Sequence, residues 1–252
     1  EEPWMMRAQL SRLFKRRFAA LGFKKREADA TDTLLLRQEL AELMLFAVRD
    51  EAARKRALAL ATDVLQSDGA VRSSSATSDV EALVLGVLVQ EQPEPTIARM
   101  VERLAVTTSS PERRTLLGAL SWIEEPGFQR EVRALVLDDR LRANERLPLL
   151  RRLTQTREGV ASSWLWLREN FDALIERLNP EDAGETPFVA QALCDARALA
   201  SIDEFFAERI DALDGGPRNL LATLEQVELC IAQKKVLGPE TEAYFNRTAS
   251  LP

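Results

Sequence analysis

Apolar residues recur every three to four positions along most of the chain, which is the spacing of one face of an α-helix. Four stripes of this kind are Leu36, Leu40, Leu43 and Ala47; Trp164, Leu167, Phe171, Leu174 and Leu178; Ile202, Phe205, Phe206, Ile210 and Leu213; and Leu220, Leu224, Val227 and Ile231. No stretch keeps the apolar–polar alternation that a half-buried β-strand requires. The pattern therefore predicts an all-α protein.

Short groups of Gly, Pro, Ser and Asn separate the apolar stripes, and such residues end helices and form turns. They are Gly22, Ser67–Gly69, Gln92–Pro95, Ser109–Pro111, Glu125–Gly127, Asn179–Pro180, Asp214–Pro217 and Gly238–Pro239. At Ser110-Pro111 an N-cap candidate directly precedes a proline suited to the first helical turn. We predict about a dozen helices of roughly 10 to 18 residues, joined by loops short enough for antiparallel neighbours.

The ranges 34–66, 78–106 and 113–138 each resemble a helix pair, without a strict repeat. Degenerate pairs of this kind stack into an α-α superhelix, a HEAT- or armadillo-like solenoid whose concave face is a binding surface. We expect residues 1–252 to form a single domain, with a softer division near residue 110. The Ser-rich range 68–78 is either a mobile surface loop or a spacer.

Charge and hydropathy argue against two classes of partner, which are nucleic acid and membranes. The chain has 34 basic and 40 acidic residues and a net charge of −6, so its overall field repels nucleic acid. No apolar run approaches the roughly 20 residues needed to cross a bilayer. The basic run Arg12–Arg26 either binds an acidic partner or is the solvated face of an amphipathic helix, since Leu13, Phe14 and Phe18 interrupt it.

Histidine is absent from all 252 residues, which removes Ser-His-Asp, Cys-His and His-ligated metal sites together. The only cysteines, Cys194 and Cys230, lie in helical patterns, and we interpret them as small buried residues, not as a disulfide. Neighbouring carboxylates such as Glu124-Glu125 point in different directions on a helix, and no glycine-rich phosphate loop occurs. We predict no catalytic residue, no metal site and no cofactor in this chain.

Two features remain as candidate binding groups. Arginine is concentrated at positions 140, 142, 146, 151, 152 and 157. These side chains either bind carboxylates, which match the guanidinium fork, or form a solvated helix face. Trp164 and Trp166 are two residues apart and face roughly opposite sides of a helix at about 100° per residue. Trp164 belongs to the apolar stripe, whereas Trp166 either packs against a second helix layer or lines a groove.

Three segments, in this order, resemble the C-terminal helical domain of the aminopeptidase N and endoplasmic-reticulum aminopeptidase family of zinc metallopeptidases. Leu116–Trp122 with Glu125–Phe128 is similar to the family's "LLGAL…DP" segment. Ser163–Leu174 resembles its "AW-x-FL-x-x-NW-x-x-L" helix, with Trp166 in place of Phe and Phe171 in place of the second Trp. The family's C-terminal "FF" and "E" positions are matched within 188–228.

The resemblance implies a fragment that lacks the catalytic domain. The family's Gly-Ala-Met-Glu-Asn and His-Glu-x-x-His motifs are absent, so zinc belongs to a preceding domain of the parent hydrolase. That domain and a peptide are the implied partners. The implied function is to close the substrate chamber of an aminopeptidase and to contact the peptide. The candidate contact residues are Arg151, Arg152, Arg157 and Trp166.

Two other functions fit parts of the sequence. A free-standing helical-repeat scaffold that binds a protein partner has the same periodicity. A complete enzyme is disfavoured because no nucleophile and base occur together. Few cysteines and no leader point towards the cytoplasm, although a fragment lacks any leader of its parent.

Overall fold

The computed structural model describes the backbone of residues 2–74 and 77–249, and their side chains except those of residues 2, 3, 157, 158, 246, 248 and 249. Within these residues the chain forms twelve α-helices and no β-strand, which confirms the all-α prediction. The helices are α1 (Glu2–Leu21), α2 (Thr31–Glu42), α3 (Glu51–Val64), α4 (Glu81–Glu91), α5 (Pro93–Val106), α6 (Ser110–Leu120), α7 (Pro126–Ala134), α8 (Ala143–Arg152), α9 (Arg157–Ile175), α10 (Pro180–Gly184), α11 (Ala196–Phe206) and α12 (Gly216–Ala249). A π-helical turn spans Leu43–Ala47, and four 3-10 turns span Leu135–Leu137, Leu153–Gln155, Thr186–Ala190 and Ile210–Ala212.

Two compact units make up the chain. One contains the residues up to Trp122 together with those from Glu242, and the other is Ile123–Thr241. Each of the three predicted pairs does contain two helices, α2 with α3, α4 with α5, and α6 with α7. The stacking of all pairs into one superhelix, and a single domain with a softer division near residue 110, stay predictions.

Helix α4 is the centre of the first unit, between α3 and α6. Its residues Leu83, Val84, Leu85, Val87, Leu88 and Val89 are all buried. Gly86 lies against a stacked aromatic pair, Phe46 and Trp122, whose ring centroids are 3.7 Å apart. A continuous apolar run with one glycine thus forms a helix that is buried on nearly every side.

The loop that precedes α4 is attached to the helices by two carboxylates. Glu81 is 2% exposed, and it accepts hydrogen bonds from the Ser73 hydroxyl at 2.8 Å and the Ser74 N–H at 2.9 Å. Glu112 of α6 accepts from the Val71 N–H at 3.0 Å. The described part of the predicted range 68–78 is therefore held on both sides, while residues 75 and 76 lie outside the described residues.

The first predicted stripe is confirmed only in part. Leu40 is buried, Leu36 and Leu43 are half-buried and Ala47 is exposed, whereas Met44 and Leu45 are fully buried. The π-helical turn at Leu43–Ala47 accounts for the exposure of Ala47, because its wider hydrogen-bonding pattern rotates the residues that follow Leu43 relative to a regular α-helix.

The second unit is built around a cluster of four aromatic rings, Trp164, Phe171, Phe205 and Phe206. Trp164 and Phe171 are on α9, the other two are on α11, and the Phe205 ring meets those of Trp164 and Phe171 edge to face at 5.4 and 5.3 Å. This confirms the stripe from Trp164 to Leu174, which is buried throughout. Leu178 lies beyond the end of α9. The edge-to-face arrangement fixes the two helices relative to each other.

The interpretation of the cysteines is wrong, because Cys194 and Cys230 form a disulfide bond. Cys194 is in the turn before α11, outside the helix that the sequence pattern indicated, and this turn brings it beside α12. Because disulfides persist chiefly in oxidising compartments, cysteine usage no longer argues for the cytoplasm.

Two predicted boundaries also differ. Gly238-Pro239 was expected to end a helix, but α12 continues through both residues to Ala249. Both are at or near the surface, where water can satisfy the carbonyl that loses its partner to proline. The N-cap of α6 is Ser109, one residue before the predicted Ser110, and its hydroxyl accepts from the Glu112 N–H at 3.4 Å. In the described part of the chain, no helix combines the length and apolar character that bilayer crossing needs.

Candidate functional site

A groove of about 350 Å³ lies between α7 and α9 in the second unit. Its described lining consists of Pro126, Gln129, Arg130 and Arg133 from α7, and Ser162, Leu165, Trp166 and Glu169 from α9. In both sets the residues recur every three or four positions, so each helix contributes one face. The groove is therefore a direct consequence of helical periodicity in two neighbouring helices.

Side-chain caps fix where both helices begin. The Glu125 carboxylate accepts from the N–H groups of Phe128 at 2.8 Å and Gly127 at 3.0 Å, and these bonds lower the pKa of Glu125. The Thr156 hydroxyl accepts from the Gly159 N–H at 3.1 Å. Gln129 joins the two helix starts, because its amide N–H donates to the Thr156 hydroxyl at 2.9 Å.

Arg133 is the buried charge of the groove and is only 3% exposed. Its Nη2 donates to the Ser162 hydroxyl at 2.7 Å and to Gln129 Oε1 at 3.4 Å. Its Nε is buried with no hydrogen-bond partner, and it forms no ion pair with any described residue. Burial lowers the pKa of Arg133. The acceptors that hold this guanidinium are neutral, and Arg130 and Glu169 are the other charged residues in the described lining of the groove.

Trp166 lines the groove, and this resolves the two alternatives that the sequence left for it. Its side chain is half-buried, and the neighbouring Leu165 is 54% exposed. Trp164 faces the aromatic core, as predicted. The groove thus has an apolar wall beside the buried arginine. Contact between Trp166 and a substrate stays a prediction.

The described members of the predicted arginine cluster lie in different surroundings, and their contact with a substrate stays a prediction. Arg151 Nη1 lies 2.7 Å from Glu185 Oε2, and its guanidinium lies over the Phe188 ring at 5.0 Å. Arg152 is exposed, and the side chain of Arg157 lies outside the described residues. Neither Arg151 nor Arg152 is among the described residues that line the groove.

Two further members of the cluster have structural partners. Arg140 forms an ion pair with Asp138, and the Arg146 guanidinium donates to the carbonyls of Val136 at 2.7 Å and Leu141 at 2.9 Å. The sequence analysis did not select Arg133, Ser162 or Gln129. The sequence did contain one signal for Arg133, which is a charged residue within the apolar run Val132–Val136 and lies at helical spacing from other polar residues.

The chain does not fit a zinc ion. It has no histidine, and both cysteine sulfurs are in the disulfide. Among the described residues, no group of three or more Cys, Asp or Glu side chains is placed to hold a metal ion. Zinc sites in proteins take their ligands from these residue types, so we assign no metal chemistry to this chain.

Comparison with known protein families supports the resemblance that the motifs indicate. The family model described as the ERAP1-like C-terminal domain matches residues 3–229, which is most of the sequence. Comparison with curated protein sequences gives no match. The matched residues include most of both compact units and all of helices α7 and α9. The chain therefore belongs to the family of ERAP1-like C-terminal domains.

Proposed function

We propose that this chain is the non-catalytic C-terminal domain of a zinc-dependent aminopeptidase, in which it closes the substrate chamber and contacts the peptide. The observation that carries the proposal is the family match over residues 3–229. The zinc ion and the residues that activate water belong to a different domain of the same polypeptide. The part of this chain is to bind and enclose the substrate.

The proposal is tested first on the coding sequence upstream of the codon for Glu1. We expect, in the same frame, a Gly-Ala-Met-Glu-Asn motif followed by a His-Glu-x-x-His helix. A start codon directly before Glu1 would instead identify a free-standing helical protein and overturn the proposal.

An activity assay tests whether this chain alone has aminopeptidase activity. The 252-residue chain is incubated with aminoacyl-anilide substrates, with and without added zinc. We expect no hydrolysis in either case, because the chain has no histidine and no group of ligands for zinc among its described residues. Turnover by the chain alone would overturn its assignment as a non-catalytic domain.

A further inference from the structure

We propose that the exposed face of α1 formed by Arg12, Leu13, Arg16 and Arg17 is a docking surface for an acidic segment of another protein. These four residues are called the basic face below. The proposal goes beyond the proposed function and does not rest on it. It chooses between the two alternatives that the sequence left for the basic run Arg12–Arg26, which were a binding surface and a solvated helix face.

The first argument is the segregation of charge along the chain. Residues 3–26 contain eight basic residues and no acidic one. Residues 27–252 contain the other 26 basic residues together with 38 of the 40 acidic ones, which is a net charge of −12. The field of an exposed charge decays within about 8 Å at physiological ionic strength. The basic face therefore attracts an anion even though the whole chain carries −6.

The second argument is the concentration of unpaired arginines on two turns of one helix. Arg12, Arg16 and Arg17 are exposed, and none of them forms an ion pair with a described residue. The neighbouring Lys15 does have a partner, because its Nζ lies 2.8 Å from Asp50 Oδ2. Arg12 and Arg16 are four positions apart, a spacing at which like charges on a helix repel each other. A partner that supplies carboxylates relieves this repulsion.

The third argument is the position of Leu13, which is 58% exposed. It lies three positions before Arg16 and four before Arg17, so the three side chains are neighbours on the helix. An apolar centre with a polar rim is typical of protein–protein interfaces, in which arginine is enriched and lysine is depleted. The guanidinium fork also matches a carboxylate with two hydrogen bonds. These features favour a ligand that presents Asp or Glu side chains beside an apolar one.

The burial of α1 argues against a membrane as the partner. A helix that binds in a bilayer interface inserts a broad apolar face. In α1 the apolar face is used inside the protein, because Phe18 is 1% exposed and meets the Phe23 ring edge to face at 5.2 Å. Phe14 and Leu21, on the same side of the helix, are half-buried. Leu13 alone gives the basic face too little apolar surface for insertion.

Contact with α12 limits the docking surface towards the start of α1. Gln9 Nε2 donates to the Tyr244 hydroxyl at 3.4 Å, and both residues belong to the first unit. The available part of the helix therefore runs from Arg12 to the end of α1, which is about 15 Å at 1.5 Å per residue. Lys24 and Lys25 follow the helix and are exposed, so they extend the positive charge. A helical segment of about ten residues matches this length.

The test uses fluorescence anisotropy with the 252-residue chain and two labelled peptides of about 15 residues. One peptide repeats Glu-Glu-Leu and the other repeats Gln-Gln-Leu, so that they differ in their carboxylates alone. At about 50 mM NaCl we expect the Glu peptide to bind about tenfold more tightly than the Gln peptide, and we expect this ratio to shrink at about 500 mM NaCl. Equal affinity for the two peptides at low salt would overturn the proposal.

Arginine substitutions then locate the site. The triple variant Arg12→Gln/Arg16→Gln/Arg17→Gln is expected to reduce the affinity for the Glu peptide to that for the Gln peptide. The matched control is Arg114→Gln/Arg130→Gln/Arg197→Gln, which removes the same charge from exposed arginines of α6, α7 and α11. We expect the control to bind the Glu peptide within about twofold of the wild-type chain. An equal loss in both variants would show that net charge attracts the peptide, and it would overturn the assignment to the basic face.

Leu13→Ser tests the same face without a change in charge. Leu13 is mostly exposed, so its replacement leaves the core intact. We expect it to weaken binding of both peptides about threefold, as for the partial burial of one leucine, and to keep the preference for the Glu peptide. Unchanged binding of both peptides would contradict contact at the basic face.

Two further probes distinguish the acidic protein segment from other anionic partners. They are phosphatidylglycerol vesicles and a double-stranded oligonucleotide, each at about 150 mM NaCl. We expect the chain to bind the Glu peptide more tightly than either probe. Binding to the vesicles or to the oligonucleotide without binding to the Glu peptide would identify a lipid surface or a nucleic acid as the partner and would overturn the proposal.

Discussion

Cys194 and Cys230 are joined by a disulfide bond that ties the turn before α11 to the middle of α12. The two residues are 36 positions apart, and the crosslink reduces the conformational freedom of the unfolded chain. On the loop-entropy model, a loop of this length stabilises the folded state by about 3 to 4 kcal/mol. We expect the double variant Cys194→Ser/Cys230→Ser to lower the free energy of unfolding by this amount in urea denaturation.

A reductant provides the control for this prediction. Dithiothreitol should reduce the stability of the wild-type chain to that of the double variant, and it should leave the double variant unchanged. Thiol titration of the unfolded, unreduced chain should find no free thiol. Two free thiols in that assay would show that the bond is not formed.

A pair of glycine substitutions tests the packing of α4. A Cβ at Gly86 would lie 2.6 Å from Trp122 Cδ1 and 3.1 Å from Phe46 Cζ, closer than carbon atoms approach. Because these rings are stacked, with Trp122 buried and Phe46 half-buried, neither can move freely. We expect Gly86→Ala to lower the free energy of unfolding by about 1 to 3 kcal/mol, the usual cost of overpacking.

Gly238→Ala is the matched control, since Gly238 is also within a helix but a Cβ added there would have nothing within 4 Å of it. The gain in helix propensity is offset by the restriction that Pro239 places on the residue before it. We expect a change within about 0.5 kcal/mol of zero. Equal effects of the two substitutions would contradict the close packing at Gly86.

The sequence predicted the helices well because helical periodicity is a local property. It could not predict which charged residues are buried, because burial depends on how separate elements pack against one another. Arg37 follows Leu36 of the predicted stripe, yet Arg37 is the buried one, and it reaches carboxylates in two loops. An analysis of apolar stripes treats every arginine as exposed to solvent. It therefore places the buried face of α2 at Leu36 instead of Arg37, one residue too early.

The candidate site was only partly predictable for the same reason. Trp166 was selected because it lies off the apolar stripe, and it does line the groove. Proximity in sequence grouped the arginines from 140 to 157, but Arg140 and Arg151 each have a different carboxylate partner. Arg133 was missed because its burial depends on α9, which lies opposite and contributes Ser162.

Because Asp138 forms an ion pair with Arg140, we expect the free energy of unfolding to depend on pH in the acidic range. The side-chain hydrogen bond from Arg140, assisted by its N–H and its charge, outweighs burial and lowers the pKa of Asp138 from 3.8 to about 2. Since the folded-state pKa lies below that of the unfolded chain, the stabilisation is present above pH 3.8 and is lost as the pH falls to about 2. We expect an NMR titration to place the carboxyl midpoint near 2.

Asp138→Asn is the corresponding variant. We expect it to lower the free energy of unfolding at pH 7 by less than about 1 kcal/mol, because the pair is partly exposed and water screens it. Between pH 4 and pH 2 the variant should lose less stability than the wild-type chain. A titration midpoint at the ordinary value of 3.8 would show that the ion pair does not persist in solution.

The two arginines at the end of α8 test peptide contact in the full-length aminopeptidase of the proposed function. We expect Arg151→Ala/Arg152→Ala to raise KM for a long peptide about two- to fivefold, the range of an exposed ion pair, and to leave a dipeptide-like substrate nearly unchanged. We expect Arg151 and Arg152 to contribute unequally to this increase in KM. Arg152 is exposed, whereas Arg151 is already paired with Glu185, so Arg152→Ala should cause most of the increase.

Glu185→Gln separates the two roles of Arg151. It removes the partner 2.7 Å away but keeps the guanidinium, which still lies over Phe188. If Arg151 can contact the peptide, its release from Glu185 should lower KM for the long peptide, because the guanidinium no longer has to give up a carboxylate in order to bind another. If Arg151 only supports the fold, Glu185→Gln should leave KM unchanged for both substrates. Equal increases for the long and short substrates in the double arginine variant would rule out contact with the distal part of the peptide.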